Sequence, residues 1–325
     1  MLLIATDEAG YGPKLGPLVI AGTVWRMEDG LSTQPNAGVW DAAFEPMRDP
    51  CHCGDTLVKV DDSKAVYKPS AGLDLLHAVV SASLHWCGRQ ESSFREWLSV
   101  AASGDRDSIA SCDWLQPNQG EATWLSRDET ESCRQHWGSQ GISLLGIQYR
   151  VITAEAFNLA CANGSNKADL LSESTLNLVA SLLRTWGQEE EPCEVFCDRH
   201  GGRRYYAGVI QHCFPDALVQ VNREEKCESE YRLAGVAGSN GAIGPTSMRF
   251  TVKGDSFTPV ALSSMHAKYV REQLMKSLNQ YFLERASAEL RPTAGYPVDA
   301  DRFLADIASI LQKEGIDRER LVRSR

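Results

Sequence analysis

MLLIATDEAGYGPKLGPLVIAGTVW, residues 1–25, is the stretch on which the fold turns. Residues 2–6, LLIAT, form a short apolar run that ends on Asp7 and Glu8, and 17–25, PLVIAGTVW, form a second run rich in β-branched residues, so both read as strands. Gly10, Gly12, Pro13, Gly16 and Pro17 crowd the connection between them, which must be a glycine-shaped bend with accessible backbone amides. Carboxylates next to a core are costly to desolvate unless a cation or hydrogen bonds compensate, so the adjacent Asp7 and Glu8 ask for a metal. The pattern recurs at 193–198, CEVFCD, a short strand ending on Asp198. Acids at two strand ends can converge beyond an α/β sheet, where ligand sites commonly lie. Taken singly, each also fits a solvated turn or a helix cap.

Apolar spacing predicts helices over 73–86 and 167–186, and Gly201-Gly202 opens another through Tyr205, Val209 and Ile210. Residues 217–222 and 248–253 read as strands, about 258–287 as a long helix after Thr258-Pro259, and 299–313 as a last helix. Strands mixed with helices predict an α/β layer fold. The stretch 86–142 is rich in Ser, Gly, Asp and Gln, holds Trp86, Trp97, Trp114, Trp124 and Trp137, and reads as an inserted subdomain. Its tryptophans are expected to build that segment's small core rather than to stack on bases. The expected organisation is therefore 1–85 with 143–290 as the main domain, 86–142 inserted, and 291–325 as a C-terminal helical segment.

The 325 residues carry 33 Lys+Arg against 43 Asp+Glu, a net charge of −10 that argues against coating nucleic acid by bulk charge. Any phosphate partner must be held locally. No run approaches the roughly 18 apolar residues of a membrane span, and acids follow the first apolar run where a signal peptide would continue, so a cytoplasmic protein is expected. The ten cysteines are then reduced thiols. Cys51-His52-Cys53 is spaced too tightly for the usual zinc pattern and has no second Cys/His pair of recognisable spacing.

Several separate segments resemble the type 2 ribonucleases H, the ribonuclease HII family, with archaeal- and eukaryotic-like motifs. The family's Asp-Glu-Ala-Gly-Arg-Gly-Pro and following Gly-Pro strand are similar to Asp7-Glu8-Ala9-Gly10-Tyr11-Gly12-Pro13 and Gly16-Pro17-Leu18-Val19. Its Asp-Ser-Lys is matched by Asp62-Ser63-Lys64, its strand-end Asp by Asp198, and its Lys-Ala-Asp by Lys253-Gly254-Asp255. Its Ala-Ser-Ile-x-Ala-Lys-x-x-Arg-Asp helix looks like 263–272, ending on Arg271-Glu272, and Gly295-Tyr296-Pro297 looks like its Gly-Tyr-Pro. The resemblance spans about 1–25, 59–68 and 145–310.

It implies a ribonuclease H-like fold, a mixed sheet flanked by helices. The implied enzyme uses two divalent ions, Mg²⁺ or Mn²⁺, to hydrolyse the RNA strand of RNA–DNA hybrids or ribonucleotides embedded in duplex DNA. Mapped by motif, the metal ligands and catalytic acids are Asp7, Glu8, Asp198 and Glu272. Hard ions prefer such oxygen ligands, and an in-line displacement between two ions needs no nucleophilic side chain. Gly10, Tyr11 and Gly12 would sense the 2′-hydroxyl and Tyr296 the next sugar, although Tyr296 fits a packed turn tyrosine equally. Lys64, Lys253, Lys268 and Arg271 would supply local positive charge; Lys268 and Arg271 fit ion pairs with nearby acids as well. Arg199, His200, Arg203 and Arg204 form either a further phosphate site or a solvated loop, and His266 reads as a packed or surface histidine. A monomer is expected.

Two departures stand out: Glu272 where the family has Asp, and Tyr11 where it has Arg or Lys. Together with the long 86–142 insertion they motivate the rival reading, a ribonuclease H-like scaffold that binds nucleic acid with little or no cleavage. A dinucleotide-binding loop at Gly10–Gly16 fails on context, because Pro17 leads into a strand rather than a helix. No Walker loop occurs.

Overall fold

A computed structural model describes residues 1–28, 37–62, 72–116, 124–287 and 289–324. Its strands are β1 (Leu2–Ala9), β2 (Leu18–Met27), β3 (Cys51–Cys53), β4 (Thr56–Val58), β5 (Ile142–Ile152), β6 (Cys193–Asp198), β7 (Leu218–Glu224), β8 (Glu228–Ala234) and β9 (Thr246–Thr251). The helices are α1 (Ala37–Phe44), α2 (Asp74–Trp86), α3 (Phe94–Ala101), α4 (Arg106–Ala110), α5 (Arg127–Trp137), α6 (Ala154–Ala162), α7 (Lys167–Trp186), α8 (Ala207–Cys213), α9 (Thr258–Leu283), α10 (Pro297–Asp306), α11 (Ala308–Glu314) and α12 (Arg318–Leu321).

Seven strands form one sheet in the order β5-β2-β1-β6-β9-β8-β7, with β3 and β4 as a separate hairpin. β1 runs parallel to β6, and β6 parallel to β9, while the outer pairings are antiparallel. This is the expected α/β class, a mixed sheet flanked by helices. The period of two explains the burial of both faces. Leu3, Ala5, Val19, Ala21 and Trp25 point into one apolar cluster with α2 and α9; Leu2, Ile4, Leu18, Ile20 and Val24 point into another with α7. Helices on both faces suit the two parallel pairings at the centre, because parallel sheets are usually covered on both sides.

Small polar groups fix how α9 lies on the sheet. Ser263 Oγ donates to the Ala5 carbonyl at 2.9 Å, Thr23 Oγ1 lies 3.0 Å from Ser263 Oγ, and Trp25 Nε1 donates to Thr23 Oγ1 at 3.0 Å. Each of these buried donors thus has a partner, which removes most of its desolvation cost and locks the helix register. At the other end of the chain, Leu15 and Val322 form an isolated bridge, and Arg323 N donates to the Lys14 carbonyl at 3.0 Å.

Several sequence expectations change here. β8, ESEYRLA, was not anticipated; it alternates Ser229, Tyr231 and Leu233 inward against Glu228, Glu230 and Arg232, a polar alternation with a weak apolar signal. β5 and the β3–β4 hairpin were likewise unanticipated. The single helix expected over 299–313 breaks at Ile307 into α10 and α11. The tryptophans of 86–142 do build a core, but a shared one: Trp97, Trp114 and Trp137 belong to the same cluster as Trp25 and Tyr149 of the sheet. Trp97 meets Tyr149 edge-on at 4.9 Å, and Trp86 meets Trp25 at 5.4 Å.

Candidate functional site

β1 alternates, so Asp7 lies on the α9 face with Leu3 and Ala5, and Glu8 lies on the opposite face with Leu2 and Ile4. Asp7 is 9% exposed. Burial and the neighbouring Asp198 charge push its carboxyl up to about 7, with Asp255 adding in the same sense. Hydrogen bonds from Ser264 and from the Glu8 amide, at 2.7 Å, pull the other way and are outweighed.

Asp198 ends β6, next to β1 in the sheet. The Gly254 amide donates to Asp198 Oδ1 at 2.7 Å, which ties the turn after β9 to the end of β6. That turn is tight. Lys253 takes a left-handed conformation, φ 59°, unusual for a residue with a Cβ, and a Cβ on Gly254 would come within 2.9 Å of the Asp198 Cα. The glycine lets the backbone approach, and Asp255 follows it in the turn, where its charge adds to the raising of Asp7.

The acids that act on Asp7 are therefore Asp198 and Asp255. Glu272, which the motif mapping groups with Asp7 and Asp198, is placed differently. It sits eight residues beyond Ser264 on α9, about 12 Å along the axis at 1.5 Å per residue. Its Oε1 is 3.6 Å from both Lys268 Nζ and Arg271 Nη1, and it lines a cleft with Met275, Lys276 and Asn279 rather than the Asp7 group. Asp255 was in view in the sequence, within Lys253-Gly254-Asp255, without being assigned a role.

Arg271 is also placed unexpectedly. It is 4% exposed, donates to the Ala294 carbonyl at 3.1 Å and packs so closely on Gly10 that a Cβ there would meet its Nε at 2.5 Å. Gly10 has φ +88°, so glycine is required on both counts. The guanidinium thus braces the glycine loop against 294–295 from inside, rather than facing solvent. The same segment anchors the loop directly, since Lys14 N and Leu15 N both donate to the Gly295 carbonyl.

Tyr296, the next residue, is 56% exposed, and its ring edge lies 3.8 Å from where a Gly12 Cβ would be. At the start of α10, its ring is more than half open and stands beside Gly12. Tyr11 turns to the other side, toward Gly201, with Lys167 Nζ 4.2 Å from its ring centre. Burial and the Glu8 charge raise its phenol. Lys167, at the start of α7, was not anticipated; its position just after the Asn166 cap was the available signal.

Lys253 is exposed, Lys268 pairs with Glu272, and Lys64 lies outside the described residues. The basic cluster after Asp198 serves the fold. Arg199 donates to the Lys226 and Glu225 carbonyls, Arg204 to Glu224, and Arg203 pairs with Asp169. His200 is buried on Ser172 and pushed down to about 3 by that burial and by Arg203. His266 is fully packed, with Nδ1 2.7 Å from the Tyr149 hydroxyl.

Asp7, Asp198 and Asp255 offer hard oxygen donors with crowded negative charge, the chemistry that suits Mg²⁺ or Mn²⁺. As the side chains stand, no three His, Cys, Asp or Glu among the described residues are grouped closely enough to hold an ion. No described helix is long and apolar enough to cross a membrane.

No protein-family model and no curated protein matches the sequence. Among solved structures, the chain is similar to the ribonuclease H2 of Pyrococcus horikoshii OT3, at 13% identity and TM-score 0.44, covering 99% of this chain and 92% of that one. It is similar to the RNase HII of Archaeoglobus fulgidus in its complex with PCNA, at 12% identity and TM-score 0.40, covering 100% and 95%. It is also similar to Bst-RNase HIII in complex with Mn²⁺, at 12% identity and TM-score 0.39, covering 99% and 66%. Likeness at this level leaves the chemistry to be read from the chain's own side chains.

Proposed function

We propose that the chain is a metal-dependent endonuclease of the ribonuclease H type, cutting the RNA strand of RNA–DNA hybrids or at ribonucleotides embedded in duplex DNA. The carrying observation is that Asp7, buried near the Gly10–Gly12 loop, is raised by burial and by the charges of Asp198 and Asp255 from two other segments, with Asp198 held by the Gly254 amide next to Asp255. The sequence resemblance supports the same reading through the motifs that hold these residues.

In this reading Asp7, Asp198 and Asp255, with Glu8 as a further donor, hold divalent ions, and Asp255 takes the place that motif order gave to Glu272. A bound Mg²⁺ or Mn²⁺ supplies Lewis-acid polarisation of the phosphodiester. Ser264 orients Asp7, and the Gly254 amide orients Asp198, so both carboxylates are aimed before any ion arrives. Gly10 and Gly12 let the backbone approach the nucleic acid strand. Tyr296 presents its exposed face to a sugar next to Gly12, and Arg271 holds that loop in place from beneath. One chain provides all of these groups, so a monomer suffices.

The test is duplex DNA containing a single ribonucleotide, incubated with Mg²⁺ or Mn²⁺. Nicking at the ribonucleotide that needs the ion and disappears in Asp7→Asn is the expected result. Nicking that survives Asp7→Asn refutes the assignment, and tight binding without nicking favours the binding-only reading that the Tyr11 departure motivates.

A further inference from the structure

The Cys51-His52-Cys53 run has no place in the nuclease site, and its spacing acquires a meaning once it lies in β3. The period of two puts Cys51 and Cys53 on one side of the hairpin, with the exposed His52 on the other. That side faces α5. On α5, Thr130, Cys133 and Trp137 recur at helical spacing as its buried residues, so Cys133 projects from the helix toward the hairpin. Cys51 Sγ and Cys133 Sγ are 3.0 Å apart, and Cys133 hydrogen-bonds Cys53 as well. Among the described residues no other thiols bond one another.

A disulfide bond is about 2.05 Å, so Cys51 and Cys133 need to close by only about 1 Å. Cys51 is half-buried and open to a small reagent, whereas Cys53 and Cys133 are fully buried. The hydrogen bond from Cys133 lowers the Cys51 thiol, while Cys133, bonded to both neighbours and buried, is raised. The accessible thiol is thus the better nucleophile, and the buried one is placed to follow it.

We propose that Cys51 and Cys133 are a disulfide-forming pair that takes an oxidised small-molecule disulfide as its reagent and cross-links the hairpin to α5. Cys51, giving up its proton, attacks one sulfur of the reagent, and the displaced thiolate takes that proton and leaves as a thiol. The mixed disulfide on Cys51 is then attacked by Cys133, whose proton goes to the second departing thiolate. Two electrons pass from the two protein sulfurs to the reagent, which leaves as two thiols. Cys53, touching Cys133, keeps its thiol.

The experiment is independent of nuclease activity. The whole folded chain is incubated with oxidised glutathione, acid-quenched, alkylated and mapped as peptides without reduction. The expected product is a Cys51–Cys133 cross-link with Cys53 alkylated, while the exposed Cys227 carries glutathione. The cross-linked form should melt higher by on the order of 5 °C, because the bond closes a long loop of the unfolded chain. Cys51→Ser should remove this cross-link, and the wild-type map stands alone if that variant fails to fold. A lasting glutathione on Cys51 with Cys133 still alkylated, a Cys51–Cys53 bond, or zinc retained by the reduced protein so as to protect all three thiols would each overturn the proposal.

Discussion

Asp7 and His266 are both ionisable, both buried, and both packed where α9 meets the sheet, yet their surroundings treat them in opposite ways. His266 meets the Tyr149 hydroxyl in the aromatic flank, and burial alone holds it neutral, pushed down to about 3. Asp7 is pushed up to about 7 by burial and by the charges of Asp198 and, least of all, Asp255. Burial of a neutral histidine on a hydroxyl is a structural solution that satisfies its Nδ1 and leaves its buried Nε2 without a partner. Burial of one acid among acids is a demand that the fold itself leaves standing, and such demands concentrate at sites that bind something.

The largest expected effect breaks this contrast at the acids. Asp7→Asn and Asp255→Asn should each lower metal-dependent nicking on the order of 10³-fold or more, whereas Glu272→Gln should stay within about tenfold of the parent. Initial rates on the single-ribonucleotide duplex decide it; equal losses at Asp255 and Glu272 would restore the motif-order assignment. Next comes the aromatic flank, where Trp97→Ala should cost about 3 kcal/mol or more in urea unfolding by opening a cavity beneath Tyr149.

The pH predictions sharpen the comparison because their signs are opposite. The His266 value is depressed from 6.5 to about 3, so its stability contribution is complete above pH 6.5 and is lost on acidification, about 2 kcal/mol by pH 5. His266→Gln should therefore flatten the acid limb of the stability curve. Asp7 is raised from 3.8 to about 7, so the folded state keeps a proton that the unfolded state has released, and stability falls as pH rises through that window. Without divalent ions, Asp7→Asn should melt higher than the parent at pH 8, with the gap closing toward pH 4. Smallest of all, Tyr296→Ala should raise KM roughly tenfold or less while leaving the melting temperature unchanged, since its ring is more than half exposed.

The residues that were legible in the sequence are those whose role is local. Asp7 follows an apolar run within β1 and Asp198 ends β6, and Gly10 sits in a crowded glycine bend, features that a sequence displays directly. Asp255 sat in a quoted motif yet went unassigned, since nothing in the spacing says that the Gly254 amide would cap Asp198 and swing the next side chain toward β1. For Arg271 the sequence shows a charge that suits a phosphate or a nearby acid, and not its burial against Gly10. β8 was missed because glutamates occupy its outward positions. The tryptophans were rightly taken as core-forming, but which surface they would close over depends on contacts far apart in the chain.

That shared closure has a practical corollary. Trp97 and Trp137 share the core of the sheet rather than forming one of their own, so cutting away the described helices that carry them opens that core. A shortened version built to resemble a smaller nuclease would leave Trp25 and Tyr149 open to water, and such a miniature should be recovered as insoluble material.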